Sequence, residues 1–246
     1  NALPTLEAEV LPRLIRGAYQ VISRMPGISR STAVRLGLEP ELEGQTPLVL
    51  RLGFRPADRN LEMTCVLAAT AGEIAGRSDA AGDSAAAGES AAAVVDAAET
   101  ADLRFIPLDT NHTDDYLQVH NPAFLGAPHG GPMGVEELRE ALTTASHRDL
   151  LQVGYLGAAP ASALELGLKD GVGLVTCLAI APPFQGRGLG AVTLRHALAS
   201  LRDLGAQEAR LTVMESNTAA LRLYRRSGFT LRRVLSVWFD GPPPIG

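Results

Sequence analysis

The sequence predicts an α+β (α/β) fold, a mixed and mostly antiparallel central sheet flanked by helices, and three observations carry that expectation. Residues 102–239 alternate strand-like and helix-like segments in the order β-α-α-β-β-β-α-β-α-β. Asp170-Gly171 separates two apolar runs and is a hairpin signal, so part of the sheet is antiparallel. Gly186, Gly188 and Gly190 lie between an apolar run and an amphipathic stretch, as in a strand that turns into a helix.

Each element has a local reason. Leu6, Val10, Leu14, Ala18 and Ile22 recur at helical spacing, and Pro26-Gly27 stops that helix. A shorter helix is expected over Ser29 to Leu38. TPLVLRLGF (46–54) and LEMTCVLAA (61–69) read as strands joined across RPADRN (55–60). Residues 1–68 therefore make a small N-terminal region, nearer to a partial domain than a complete one. Residues 69–100 are dominated by Ala, Gly, Ser, Asp and Glu, bury too little to offset their ordering entropy, and read as a linker.

The third region, 101–246, is dense in elements. DLRFIPL (102–108) is strand-like, and Thr113 is placed to cap a helix carrying Tyr116, Leu117 and Val119. GVEELREALTTA (134–145) is an amphipathic helix. Residues 150–157, 163–169 and 172–180 are strands. A helix follows from about Gly190 to Leu204, with Leu194, Leu198 and Leu201 on one face and Gly205 as its stop. Residues 209–214 form a strand, Asn217 to Arg226 a helix, and 230–239 a last strand.

Composition excludes several classes. The net charge of −5 gives the whole chain no attraction for polyanions, so no nucleic-acid partner is expected. No run approaches the roughly 18–20 apolar residues of a membrane span, so no membrane partner is expected either. Cys65 and Cys177 lie far apart in apolar runs and read as buried free thiols of a reducing compartment, hence a cytoplasmic location. No Cys/His cluster has metal-ligand spacing, and no metal is expected.

The glycine loop is a phosphate cradle by its chemistry: glycines admit close backbone approach, and the free N–H groups of a helix start point at an anion. A Walker loop is absent. The dinucleotide pattern G-x-G-x-x-A is met by Gly186, Gly188 and Ala191, with Glu215 at the end of the next strand. Against it, Ala181 to Gln185 separate the strand from the first glycine, and too few strands follow. The third pattern is Q-x-x-G-x-G, formed by Gln185, Gly188 and Gly190. Downstream, Asn217, Ala220, Tyr224, Gly228 and Phe229 fit N-x-x-A-x-x-x-Y-x-x-x-G-F, one helix and one strand away.

These two motifs at this separation resemble the GNAT superfamily of acyl-CoA-dependent N-acyltransferases, over Asp102 to Asp240. The resemblance implies an N-acetyltransferase that passes acetyl from acetyl-CoA directly to a small-molecule or peptide amine, without a metal. It implies that backbone of Leu178, Ala179 and Ile180 lines the pantetheine arm. It places the pyrophosphate on Gln185, Gly186, Arg187, Gly188, Leu189, Gly190 and Ala191. Asn217 and Ala220 are implied to lie near the cofactor, although Asn217 is also a good helix N-cap. Tyr224 is implied to protonate the departing thiolate, with a packed core tyrosine as the bland alternative. Glu165 and Glu215 are candidates for the base, and His120 lies where the family's first helix lines the acceptor side.

DDYLQVHNPAF, RGLG and LRLYRRSGF further resemble the C-terminal half of mycothiol synthases and related tandem GNAT proteins. The N-terminal region is then a shrunken first unit, and Arg51-Leu52-Gly53-Phe54 echoes Arg226-Ser227-Gly228-Phe229. A homodimer is the expected assembly. The sequence departs from mycothiol synthases at Leu174, where they carry an acid, and at Thr212, where they carry a tyrosine. A non-catalytic protein that binds or senses acyl-CoA is the alternative function.

Overall fold

The computed structural model describes residues 35–40, 44, 46–67, 103–124, 132–144 and 150–241. The helix expected over Leu6 to Ile22 and the linker expected over 69–100 lie outside the described residues. The strands are β1 (Arg35–Leu38), β2 (Arg55–Val66), β3 (Leu103–Pro107), β4 (Leu151–Leu156), β5 (Ala159–Lys169), β6 (Val172–Ile180), β7 (Glu208–Met214) and β8 (Thr230–Asp240). The helices are α1 (Thr46–Arg51), α2 (Thr113–Phe124), α3 (Val135–Thr144), α4 (Leu189–Asp203) and α5 (Thr218–Arg226), with a 3-10 turn at Pro182–Phe184. The strand order is β1-β8-β2-β7-β6-β5-β4-β3. β1·β8, β3·β4, β4·β5 and β5·β6 are antiparallel and β6·β7 is parallel, giving the mixed α+β sheet that the sequence predicts.

The chain divides into two compact units. One takes residues up to Met63 with Thr212–Arg222 and Leu231 onward; the other takes Thr64–Leu211 with Leu223–Thr230. In the second unit, α2 and α4 both pack on β5 and β6, and α3 packs on α2. α4 places Leu194, Ala197, Leu198 and Leu201 inward at helical spacing. A Cβ on Gly173 would lie 2.8 Å from Leu201 Cδ1, so that glycine lets α4 sit tight on β6. The Asp170-Gly171 hairpin turn has φ of 52° and 76°, both left-handed, as a type I′ turn requires. Gly205, at φ 86°, ends α4, with its N–H on the Arg202 carbonyl and the Ala206 N–H on that of Leu201.

His196 of α4 stacks on Phe105 of β3, with centroids 3.9 Å apart, and its Nε2–H donates to Gln152 Oε1 at 2.6 Å. Burial holds the imidazole pKa below its ordinary value. The unfolded chain therefore binds the proton first. Stability is complete above the ordinary histidine range and is lost as pH falls through it toward the folded-state pKa. Thermal melts from pH 7 down to pH 5 should show a falling Tm, and His196→Gln should flatten that dependence; an unchanged slope in the variant would remove His196 as the cause.

Four local expectations are corrected. Residues 46–51 form a helix, not a strand, because Pro47 suits a first helical turn and Gly53 terminates it. Arg35–Leu38 is a strand rather than a helix end, since it pairs with β8 from Arg35↔Asp240 to Leu38↔Val237. β2 starts at Arg55 and absorbs RPADRN, with Pro56 at the strand entry where its missing N–H is tolerated. Thr113 is the first residue of α2 and not its cap. The His112 carbonyl accepts the Tyr116 N–H at 3.0 Å, while the Thr113 hydroxyl donates back to Thr110.

The R-x-G-F echo has a shared geometry. In both copies a helix ends at the arginine, the glycine sits at φ 87°, and a phenylalanine only 2% exposed directly precedes a strand. The phenylalanine N–H reaches back to the Val49 carbonyl in one copy and to that of Tyr224 in the other, at 3.3 and 3.0 Å. The same separation in sequence carries Arg35-Leu36 of β1 onto Arg210-Leu211 of β7, and Leu48 onto Leu223. β1-α1-β2 and β7-α5-β8 are thus a strand–helix–strand repeat. Val49 stands at the place of Tyr224, fully buried in a cluster with Leu38, Phe54 and Phe239.

Candidate functional site

The glycine loop joins the end of β6 to the start of α4. β6 ends at Ile180, the 3-10 turn follows, and the Gln185 side-chain amide donates to the Ile180 carbonyl at 3.0 Å, which ties the loop to the strand end. Gly186 and Gly188 have φ of 77° and 79°, a region that favours glycine. Gly188 is the N-cap of α4, and no side chain caps that helix. The first-turn N–H groups, which begin with Leu189 and Gly190, therefore keep their capacity for an outside acceptor. Arg187 is exposed, its guanidinium 5.6 Å from the Phe184 ring centre. Ala191 is half-buried in the first turn of α4.

Gly190 has a different task from its neighbours. A Cβ there would lie 3.3 Å from Leu223 Cδ2, so the glycine admits α5 close to the start of α4. The residue after Leu223 is Tyr224, which is 8% exposed and packs against Phe229, with centroids 5.9 Å apart. Burial, with a contribution from Cys177, pushes the Tyr224 phenol up to about 12, so it holds its proton throughout the neutral range. Loop and tyrosine belong to the same unit.

Asn217 and Ala220 belong to the other unit. Asn217 Oδ1 accepts the Ala220 N–H at 3.1 Å and its carbonyl accepts that of Leu221, so Asn217 caps α5. Glu215 is engaged in the same unit: Arg59 Nε donates to its Oε2 at 2.5 Å and Arg59 Nη2 to its Oε1, a bidentate pair. Glu215, one of the two base candidates, is thus engaged by Arg59.

β6 carries Leu178, Ala179 and Ile180 in register with Leu164, Ala163 and Ser162 of β5. Its parallel pairing with β7 spans Val172↔Glu208 to Val175↔Leu211, while β6 runs on to Ile180. Between Glu165 and Leu166 the β5·β6 register shifts, leaving Thr176 as an extra residue. This bulge turns Cys177 to the face opposite Gly173 and Val175. Cys177, 4% exposed, thus meets Tyr116 of α2, and burial pushes its thiol up to about 12.

Glu165, directly opposite Cys177, is half-buried on the same face. Burial raises its carboxyl pKa, with His120 and Thr176 acting in the opposite sense. His120, 8% exposed, is stacked between Tyr116 and Phe124, at 5.7 and 4.6 Å. The grouping of Tyr116, His120, Glu165 and Cys177 was not visible in the sequence. Its one local trace is the helical spacing of Tyr116 and His120, which shows a shared face but not what that face meets.

Residues 111–229 match the model of the Acetyltransferase (GNAT) family. Among curated relatives, a mycothiol acetyltransferase of Thermomonospora curvata is 33% identical over 138 residues, covering 52% of this chain and 44% of that protein. One from Geodermatophilus obscurus is 48% identical over 69 residues, covering 28% and 22% respectively. The match thus spans less than half the length of these relatives. Among solved structures, a GCN5-related N-acetyltransferase from Sphaerobacter thermophilus superposes with a TM-score of 0.66 at 17% identity, covering all of this chain and 69% of that one. At that identity the likeness concerns the fold. Among the described residues, no helix is long and apolar enough to cross a membrane.

Proposed function

We propose that this chain, whose residues 111–229 match the model of the Acetyltransferase (GNAT) family, transfers an acetyl group from acetyl-CoA to an amine by direct attack. One observation carries the reading: the uncapped glycine start of α4 and the buried, protonated Tyr224 lie in one unit, joined through the Gly190–Leu223 contact. The first-turn N–H groups and the helix dipole suit a pyrophosphate. Gln185 to Ala191 hold it, with Arg187 adding charge at the rim. The pantetheine arm runs along the backbone of Leu178 to Ile180, where an N–H polarises the thioester carbonyl.

The amine nitrogen forms the new C–N bond, the C–S bond breaks, and Tyr224 Oη gives its proton to the leaving thiolate. Holding both substrates together supplies much of the acceleration. The acceptor is a small-molecule or peptide amine. The relatives' name points to mycothiol chemistry, but Leu174 and Thr212 stand where the resemblance called for an acid and a tyrosine. Residues 101–246 carry the chemistry, and residues 1–68 are a degenerate copy in which Val49 has no proton to give. The two free thiols suit a cytoplasmic setting.

Thiol release from acetyl-CoA across an amine panel tests this. Tyr224→Phe should lower kcat by about 100-fold while leaving CoA affinity within about twofold. An unchanged kcat would remove the acid role. Tight CoA binding without thiol release from any amine would favour the acyl-CoA sensor instead.

A further inference from the structure

The first unit holds a cavity of about 210 Å³ where β1 ends, α1 begins, and β2 and β8 run past. Leu38, Pro40, Val234 and Val237 give it an apolar lining, and Glu39, Thr46, Arg59 and Ser236 a polar one. All of these residues belong to that unit. Leu38 and Val237 are the last pair of the β1·β8 register, so the cavity opens where β1 stops. The volume is below the roughly 300–1,000 Å³ of a drug-sized site, and the space suits a small molecule.

The repeat shows that the polar lining is particular to this place. The separation that carries Arg51 onto Arg226 also carries Glu39 onto Met214, Thr46 onto Leu221 and Arg59 onto Val234. Ser236 in turn corresponds to Leu61. At each of these places the other copy has an apolar residue, so the strand–helix–strand frame does not require a polar one. Leu221 is 5% exposed, whereas the shorter Thr46 is half-buried and leaves room at the start of α1. Among the described residues, the Thr46 hydroxyl has no hydrogen-bond partner.

The polar groups suit one kind of ligand. Arg59 commits Nε and Nη2 to the Glu215 carboxylate, which fixes the guanidinium plane and leaves the Nη1 hydrogens for another acceptor. The same carboxylate cancels the arginine charge. Ser236 Oγ accepts the Trp238 Nε1–H at 2.9 Å, so the serine keeps its own hydrogen as a donor. Glu39 is exposed and has no ion-pair partner among the described residues. The cavity therefore offers one uncompensated negative charge, neutral hydrogen-bonding groups and an apolar wall. That balance favours a cation and disfavours a carboxylate.

We infer that this cavity binds a small primary ammonium compound with a neutral carbonyl and a short branched apolar chain, the chemistry of an α-amino amide. The ammonium pairs with Glu39, the carbonyl oxygen accepts from Arg59 Nη1, and the chain lies on Leu38, Val234 and Val237. No bond is made or broken there. Val49 stands at the place of Tyr224 and has no proton to give, so this copy holds its ligand unchanged. The inference goes beyond the acetyltransferase reading and does not rest on it.

Calorimetric titration of the full chain at about pH 6.5, where an α-amino group is protonated, compares three probes of one skeleton. Leucinamide carries every feature, 3-methylbutylamine lacks the carboxamide, and 4-methylpentanamide lacks the ammonium. Leucinamide should bind at a single site, 3-methylbutylamine about tenfold more weakly, and 4-methylpentanamide not measurably. Glu39→Gln should weaken leucinamide by about tenfold or more, with the fold intact because Glu39 is exposed. Arg59→Lys should erase the preference for leucinamide over 3-methylbutylamine, because an ammonium group has no fork to share between Glu215 and a carbonyl. Val234→Phe fills the cavity and should abolish binding. No binding of leucinamide, equal affinity for the three probes, or binding that survives both Glu39→Gln and Val234→Phe would overturn the inference. Leucinamide binding by a chain that transfers no acetyl group would remove the acetyltransferase reading alone; acetyl transfer without this binding would remove the cavity inference alone.

Discussion

Gly188→Val should abolish the proposed CoA binding: calorimetric affinity is expected to fall at least 100-fold, equivalent to about 2.7 kcal/mol, with acetyl transfer lost alongside it. Two physical effects act at the same point. Gly188 sits at φ 79°, where an L-residue pays roughly 1–2 kcal/mol and a β-branched one more, so valine displaces the loop. It is also the N-cap of α4, and a side chain there occupies the space in front of the first-turn N–H groups that are to meet the pyrophosphate. The fold itself should survive, because Gly188 is half-exposed at a helix start rather than in the core. A matched control separates site from strain. Gly171 has nearly the same φ, 76°, with nothing within 4 Å of its would-be Cβ, in a hairpin turn of the same unit. Gly171→Val carries comparable strain and should leave CoA affinity within about threefold. Equal loss in both variants would assign the effect to stability, and retained binding in Gly188→Val would refute the loop assignment.

The two halves of the chain were unequally legible in sequence. From Leu103 to Asp240 the periodicities are clean: β6 matches its expected bounds, and α4 buries the leucines named from spacing. Glycines at forced conformations, Gly171 and Gly205, mark the turn and the helix end correctly. The N-terminal region misled because its elements are short and lean on distant partners. Leu48-Val49-Leu50 looks like a strand by composition, yet only Val49 of the three is buried, at one turn of a helix. Arg35–Leu38 becomes a strand only through β8, about two hundred positions away. The glycine loop was legible because its chemistry is local. The Glu165 cluster was not, because α2, β5 and β6 contribute to it and the bulge that re-aims Cys177 leaves no mark in the hydrophobic pattern. Glu215 and Glu165 looked alike in sequence; in the structure Glu215 is paired with Arg59 and Glu165 is half-buried.

The 101–246 fragment, expressed alone, is expected not to fold. The reason lies in the last residues of β2, which come from the N-terminal region but are built into the second unit. The Leu67 N–H donates to the Gln207 carbonyl at 2.8 Å, and the Thr64 hydroxyl donates to Glu208 Oε1 at 2.5 Å at the start of β7. The Thr64 carbonyl accepts the Thr230 hydroxyl at 3.5 Å, and Cys65 Sγ lies 3.7 Å from the Ser227 carbonyl, just before Gly228. Leu67 is 6% exposed. Removing this strand bares the backbone edge of β7, uncovers apolar surface and leaves an unpaired edge open to aggregation. Deleting a whole strand removes several hydrogen bonds and buried side chains together, and a margin of about 5–15 kcal/mol does not absorb that. The fragment should lack a cooperative thermal transition and a near-ultraviolet circular dichroism signal, whereas 35–246 should retain both. Supplying residues 35–68 in trans should restore part of the signal, because the missing strand is the missing information. A monodisperse 101–246 fragment melting within a few degrees of the full chain would show instead that the fragment closes its own sheet, with β8 taking the place of β2. The repeat makes that alternative concrete, since β2 and β8 are its corresponding strands and the chain in hand uses the one from the opposite copy beside β7.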